Sequence, residues 1–197
     1  MEALMMTLGS GWVSGLRPYL MLFLLGASGR FLGIDQVPEV MQRADVLIIT
    51  AVLLVVDFAA DKIPFLDSFW DVVHTVVRPV AGGAIGYLLG GESDTMNAVV
   101  LAVIGVVAAF GAHGAKSATR AVVNTSPEPV SNVAVSGVED VAALVVGILA
   151  IALPVLAGVI AVVLLLVGGY LIYRALRIWS RVRARRRARE AGSVAAG

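Results

Sequence analysis

Long apolar runs are the feature that most constrains the fold of this chain. At about 1.5 Å of rise per helical residue, such runs cover most or all of a hydrocarbon core of roughly 30 Å. Hydrophobic residues make up 59% of the 197 positions and charged residues only 15%, and a mean hydropathy of +0.91 lies outside the range of ordinary soluble domains. The sequence therefore predicts an integral membrane protein in contact with the lipid bilayer. The four main runs contain only one charged residue in total, Asp45. They are Ala44–Val56, Met96–Gly111, Val141–Leu153 and Val155–Tyr173.

The runs are apolar on every face, whereas strands of a membrane barrel alternate apolar and polar residues. We therefore expect an all-α fold, a polytopic transmembrane helical bundle. The chain has no cysteine, which excludes disulfides, thiol nucleophiles and thiolate metal ligands. Its first residues lack the basic start and the small-residue cleavage site of a signal peptide, so we interpret them as part of the mature fold.

The basic residues are concentrated at the C-terminal end of the chain. Of fifteen lysines and arginines, eight lie between Arg174 and Glu190. The positive-inside rule predicts that this tail, residues 179–197, is cytoplasmic. An alternative role for the same charges is binding to anionic lipid headgroups.

Counting back from the tail gives a map of a single transmembrane domain over residues 1–178. The last two spans form a hairpin bent at Pro154, and both termini are cytoplasmic. This map predicts a multi-pass membrane protein. It has spans at about 17–32, 44–60, 79–91, 96–115, 137–153 and 155–176, with half-helices at about 2–13 and 66–78.

Two Arg-Pro pairs interrupt the apolar segments, at Arg17-Pro18 and at Arg78-Pro79. Proline cannot donate to the helical hydrogen-bond ladder and disfavours helical geometry in the residue before it. Irregular backbone at membrane depth persists only where protein or a water-filled cavity satisfies it, so we expect a re-entrant half-helix and an internal site near the first pair. Each pair precedes a short glycine-containing run, which leaves open an internal duplication of residues 1–60 and 61–115.

Four charged or titratable residues just before Pro79 share one face of a predicted helix, at spacings i, i+4, i+7 and i+11. Trp70 is predicted on the opposite face with Phe69, Val73 and Val77. A row of two acids, an imidazole and a guanidinium favours a site-lining helix, and the alternative is an amphipathic helix lying at the membrane surface. The same row leaves a divalent-metal site open. The four residues are Asp67, Asp71, His74 and Arg78.

Asp57 lies inside an apolar run, one turn before Asp61. A carboxylate within hydrocarbon costs about 2.5 to 3.5 kcal/mol on insertion scales, so Asp57 should face the bundle interior with a partner or a proton. We interpret it as a proton or cation site; the alternative is an acid that reaches the interface from the helix end.

A second polar group follows the 96–115 span. His113, Lys116 and Arg120 share a helical face and provide donors suited to a phosphate, sulfate or carboxylate, or a counterpart to the acidic helix. Glu139 and Asp140 are predicted near the start of the next span, where acids also act as ordinary helix caps. Together the candidate ion- or substrate-binding residues are Arg17, Asp57, Asp61, Lys62, Asp67, Asp71, His74, Arg78, His113, Lys116, Arg120, Asn124, Glu139 and Asp140.

The segments GLRPYL, DFAADKIPFLDSFWDVVHTVVRP, KSATRAVVNTSPEPVSN and SGVEDV resemble a family of bacterial multi-pass membrane proteins known as domain of unknown function 4126. The resemblance covers about Gly11 to Leu153 and leaves out the basic tail. It implies a helical multi-pass protein of the bacterial plasma (inner) membrane and carries no established activity.

Three classes of function remain open. The leading hypothesis is a small transporter or channel-like protein that moves an ion or a small solute, including an anionic one, through a polar intramembrane site. The second is a non-catalytic scaffold or lipid-binding protein, which could form homo-oligomers. The third is a membrane enzyme acting on a phosphorylated lipid, with His74 or His113 as acid or base. No cofactor and no nucleic-acid partner are predicted, and the chain is expected not to be an enzyme.

Overall fold

The computed structural model describes the backbone of residues 1–60, 66–91, 95–123 and 129–194, and side chains over most of these ranges. Within these ranges all regular structure is helical, which confirms the predicted all-α bundle. The helices are α1 (Glu2–Leu16), α2 (Pro18–Leu32), α3 (Glu39–Gln42), α4 (Ala44–Ala60), α5 (Leu66–Gly90), α6 (Thr95–Val123), α7 (Pro129–Ala152) and α8 (Pro154–Val194).

Helix α1 is the central element of the bundle. It contacts α2, α5, α6, α7 and α8, and nearly every residue from Met6 to Leu16 is buried. The helix runs to Leu16 rather than ending at about residue 13 as predicted, because the break is confined to Arg17 (φ −141°, ψ 80°) and Pro18 already starts α2. The predicted break at Arg17-Pro18 is confirmed, and that α1 is re-entrant in a membrane stays a prediction.

Small residues allow α1, α5 and α6 to approach closely. A methyl group on Gly82 of α5 would lie 2.6 Å from the carbonyl oxygen of Gly105 in α6, and one on Gly15 of α1 would lie 2.6 Å from the Cβ of Ala112. Helices in membranes associate mainly through such close packing, because lipid tails are as apolar as leucine.

The separation of residues 66–78 from 79–91 was wrong. One helix, α5, runs through Pro79 from Leu66 to Gly90. A proline in a helix interior costs about 3 kcal/mol, a cost that dense packing on neighbouring helices can offset. The close approach of α5 to α6 supplies such packing. The two Arg-Pro pairs therefore have different backbone conformations, and the internal duplication stays a prediction.

Four helical segments in the described ranges are long and apolar enough to cross a membrane: Trp70–Gly90, Met96–Thr119, Val135–Ala152 and Pro154–Arg174. Helices α2 and α4 occupy two further predicted spans but have only 15 and 17 residues. Large apolar side chains are exposed along the outer faces of α4 to α8. Lipid is the solvent that suits such a surface.

The last two helices meet where the sequence predicted a bend. Helix α7 ends at Ala152 and Pro154 is the first residue of α8, so Leu153 alone separates them. The predicted span of 155–176 corresponds to the membrane-spanning segment Pro154–Arg174, and helix α8 continues beyond it to Val194. That residues 179–197 form a cytoplasmic tail stays a prediction.

Candidate functional site

Asp57 of α4 is the centre of a cluster of polar side chains inside the bundle. Its carboxylate is fully buried. One oxygen, Oδ2, accepts a hydrogen bond of 2.8 Å from Nη1 of Arg17, and the other, Oδ1, accepts one of 3.0 Å from the indole nitrogen of Trp70. This arrangement gives the buried acid the partner that its position in an apolar run required.

Arg17 occupies the break between α1 and α2 and binds two other helices. Besides Asp57 it binds Asp140 of α7, through Nε at 2.8 Å and Nη2 at 2.7 Å from Oδ1. Its guanidinium also lies over the ring of Phe58, 4.9 Å from the centroid. The helix break predicted from Arg17-Pro18 therefore does mark an internal polar site.

His74 of α5 lies between Trp70 and Asp57. Its Nδ1 is 2.8 Å from the carbonyl oxygen of Trp70, and its Nε2 is 3.4 Å from Oδ1 of Asp57. A carbonyl oxygen only accepts hydrogen bonds, so Nδ1 carries a proton. The ring of Tyr19 packs edge-on against the imidazole, with 5.6 Å between centroids.

Arg78 joins α5 to α6. Its Nη1 lies 3.3 Å from Oδ1 of Asp71 and donates a hydrogen bond to Nδ1 of His113. The other ring nitrogen of His113, Nε2, is 3.2 Å from the hydroxyl of Thr75, which donates to the Asp71 carbonyl. Arginine has no acceptor, so His113 is neutral with its proton on Nε2.

Lys116 of α6 and Glu139 of α7 form a looser ion pair. The distance from Nζ to Oε2 is 3.6 Å, and the side chains are 2% and 15% exposed. Together with Arg17–Asp140 this pair attaches α7 to the rest of the cluster. We name the nine residues the buried charge cluster: Arg17, Asp57, Asp71, His74, Arg78, His113, Lys116, Glu139 and Asp140.

The cluster contains more acids than cations. Among the described side chains, three cations (Arg17, Arg78 and Lys116) accompany four carboxylates (Asp57, Asp71, Glu139 and Asp140). Of these acids Asp57 is the one that is fully buried, and an imidazole lies beside it, so Asp57 is the position in the cluster where a cation or a proton would be most useful.

The structure brings together nine of the fourteen predicted site residues. The predictions for Asp61, Lys62 and Asn124 fall outside the described residues, as do those for the side chains of Asp67 and Arg120. The alternative that Glu139 and Asp140 cap a helix start is wrong, because α7 begins earlier, at Pro129, and both acids bind cations of other helices.

The predicted metal and anion sites have less support. No group of three or more metal-ligating side chains occurs among the side chains that the structure describes, a set that excludes Asp67. Asp71 and His74 bind different partners, Arg78 and Asp57. On the proposed anion-binding face, Lys116 already lies close to a carboxylate. Both sites stay predictions.

Several polar residues at or near the cluster were missed in the sequence. Trp70 was predicted on the apolar face of its helix, yet it binds Asp57; its spacing of four from His74 indicates a shared face. In α1, Thr7, Ser10 and Ser14 are fully buried and lie at helical spacing on the side of Arg17. Within the described structure the hydroxyls of Thr7 and Ser10 have no hydrogen-bond partner.

The opposite end of α1 borders an open cleft. Its volume is about 480 Å³. The cleft is lined by Glu2, Gly33, Ile34, Asp35, Gln36, Ile151, Ala152 and Pro154.

An apolar outer surface, four helices of membrane-spanning length and a charged interior define a multi-pass helical membrane protein. The chain belongs to the family described as domain of unknown function (DUF4126), whose model matches residues 4–174. This range confirms the resemblance and extends it at both ends. No curated protein and no solved structure matched the chain. The comparisons thus indicate no enzymatic family.

Proposed function

We propose that this protein is a small transporter or channel-like protein that moves an ion or a small solute past the buried charge cluster. The observation that carries the proposal is Arg17. It lies at a helix break within the bundle and binds carboxylates on two other helices, Asp57 of α4 and Asp140 of α7. Ionisable residues inside membrane proteins face the bundle interior and commonly mark ion or substrate pathways.

The form of the bundle supports the same function. Transporters often build their sites from interrupted helices, whose ends leave backbone groups available near the middle of the membrane. Here the interrupted pair is α1–α2, and α1 lies at the centre of the bundle. The cluster lies near one end of α1, and the cleft beside Glu2 lies at the other. Buried hydroxyls occupy the intervening part of the helix, so polar groups continue along α1 between the two regions.

The residue that tests transport most directly is Asp57. We expect Asp57→Asn to reduce solute or ion flux in proteoliposomes, with flux normalised to the folded protein recovered. The matched control is Asp45→Asn, because Asp45 lies in the same helix but is exposed and pairs only locally with Arg43. Full flux in Asp57→Asn would remove this acid from the pathway. Equal losses in both variants would show a general effect of charge removal.

The location that goes with this function is the bacterial inner membrane, with the basic C-terminal tail cytoplasmic and near anionic headgroups. Glu2 lines the same cleft as Asp35 and Pro154, so we place the N-terminus with Asp35 on the opposite side, which corrects the predicted cytoplasmic N-terminus. The chain has no cysteine, so single cysteines can report orientation without removing native ones. We expect a cysteine at Ser180 to react with a membrane-impermeant thiol reagent only from the cytoplasmic side, and one at Asp35 only from the opposite side. The reverse pattern would invert the topology.

A scaffold or lipid-binding protein is the second candidate, and the pairing within the cluster favours it. Each of the three cations lies within 3.6 Å of a carboxylate, as expected of charges that hold helices together. A scaffold would lose stability in Asp57→Asn and would show no flux in the wild type. Wild-type flux of any solute above that of empty liposomes would count against the scaffold.

A further inference from the structure

We propose that His74 and Asp57 together bind one proton, and that this proton is the coupling ion of the protein. The pair lies at the meeting point of α1, α2, α4 and α5, and both side chains are fully buried. Proton binding stands on the geometry of the pair. The statement that the proton is coupled to transport rests on the proposed function.

The hydrogen-bond donors and acceptors around the pair require a proton between them. His74 Nδ1 donates to the carbonyl of Trp70, so in a neutral ring Nε2 would present a lone pair. That nitrogen faces Oδ1 of Asp57 at 3.4 Å. A lone pair directed at a carboxylate oxygen is repulsive. A proton on Nε2 converts the repulsion into a charge-assisted hydrogen bond, and a proton on the carboxylate converts it into a hydrogen bond between neutral groups.

Charged and titratable side chains surround the pair on several helices. The titratable and charged groups around the pair, taken over every helix that contributes to the cluster, are Arg17 (α1), Tyr19 (α2), Asp71 and Arg78 (α5), His113 and Lys116 (α6), and Glu139 and Asp140 (α7).

The second imidazole in the cluster has the opposite role. His113 accepts a hydrogen bond from Arg78 through Nδ1, and a cation facing that nitrogen disfavours a second proton there. The two histidines of the chain therefore differ in what faces them, a carboxylate for His74 and a guanidinium for His113. This difference assigns proton binding to His74.

Release of the proton changes the forces on Arg17. When the proton leaves for water, the pair loses one positive charge and Asp57 faces an imidazole lone pair. Arg17 then becomes the main counter-charge of Asp57 while it still binds Asp140. Because Arg17 is also the joint between α1 and α2, the shift in its binding acts on the helix break. We infer that this joint couples protonation to movement of the solute.

Selective labelling of the two histidines tests proton binding in the intact protein. In ¹⁵N-histidine-labelled wild type near neutral pH, we expect one imidazole protonated on both nitrogens and one neutral with its proton on Nε2. The doubly protonated signal should disappear in His74→Gln and remain in His113→Gln. A neutral His74 protonated on Nδ1 supports the pair if the ¹³C shift of the Asp57 carboxyl shows it protonated, and overturns the proposal if that carboxyl is ionised. His74 neutral and protonated on Nε2 would overturn the proposal.

Tryptophan fluorescence provides a second readout that needs less protein. The Trp70 indole lies 5.1 Å from the His74 ring, and a protonated imidazole quenches a neighbouring indole. We expect emission to rise as pH rises, and this rise to vanish in His74→Gln and in Trp70→Phe but to persist in His113→Gln. A rise that persists in His74→Gln would contradict the assignment.

A flux assay distinguishes failure of coupling from failure of transport. With an imposed pH gradient, we expect wild-type proteoliposomes to take up solute faster than without one, and His74→Gln to lose that acceleration. Flux that ignores the gradient in the wild type would overturn coupling while leaving the proposed transport intact. An absence of flux under all conditions would overturn the proposed function, whereas the labelling result would still decide proton binding.

Discussion

Arg17 and Asp57 form an ion pair across 40 positions of sequence, with Nη1 2.8 Å from Oδ2 and side chains only 2% and 0% exposed. The pair fixes the joint between α1 and α2 to α4. Because both side chains are buried, removing Arg17 leaves Asp57 without its main counter-charge in a medium that solvates it poorly.

Replacing Arg17 should therefore destabilise the protein strongly. We expect Arg17→Gln to lower the free energy of unfolding in detergent by about 3 to 5 kcal/mol, as is typical when one partner of a buried ion pair is removed. Arg43→Gln is the control, because Arg43 and Asp45 form an exposed pair and its loss should change stability little. Similar stability in both variants would mean that Asp57 is satisfied without Arg17.

The other ion pair between helices should be weaker. Lys116 and Glu139 are 3.6 Å apart, and Glu139 is partly exposed. In double-mutant cycles of thermal stability, we expect the coupling energy of Lys116→Gln with Glu139→Gln to be smaller than that of Arg17→Gln with Asp57→Asn. Equal coupling energies would show that the distance and exposure of an ion pair do not determine its strength in this protein.

The close contact of α5 and α6 should tolerate no added methyl group. A Cβ on Gly105 would overlap the carbonyl oxygen of Gly82, so Gly105→Ala should force the helices apart and cost about 1 to 3 kcal/mol of stability. Gly169→Ala is the matched control, because no atom of the described residues lies within 4 Å of its added methyl group and alanine is the better helix former. Thermal unfolding in detergent measures both. An unchanged Gly105→Ala would contradict the packing described for these helices.

The hydroxyl of Thr7 offers a test of water inside the bundle. It is fully buried and makes no hydrogen bond to any residue described. If the surroundings are dry, Thr7→Val removes an unsatisfied polar group at nearly constant shape and should raise stability by about 1 kcal/mol. Thr50→Val is the control, because the Thr50 hydroxyl donates to the Val46 carbonyl and its loss should destabilise. Lower stability in Thr7→Val would indicate a bound water or ligand at that hydroxyl.

Local sequence patterns predicted most of the helices. Continuous apolar composition predicted α4 and α6, and proline predicted the starts of α2 and α8, because these signals act within a few residues. Pro79 was misinterpreted for the opposite reason. Its effect depends on whether neighbouring helices hold the chain on both sides, and the close packing of Gly82 on Gly105 belongs to the tertiary structure.

The candidate site was predicted in part. The positions of Asp57, His74 and Arg78 within apolar or one-sided segments indicated interior charges, because such charges are expensive in lipid wherever they lie. The partners were harder to predict. Trp70 was placed on the wrong face, and Glu139 and Asp140 were weighed as helix caps, because the start of α7 could not be located from composition alone.

The sequence by itself determined that the chain is a helical membrane protein with charges that need partners in its interior. It also determined where the backbone breaks at Arg17. The tertiary structure alone decided which charges meet, since Arg17 and Asp140 are 123 positions apart and nothing in their local sequence links them. Helical periodicity defines the faces of each helix. Which faces come together depends on small residues, such as those that let α1 pass through the centre of the bundle and bring Arg17 to its two acids.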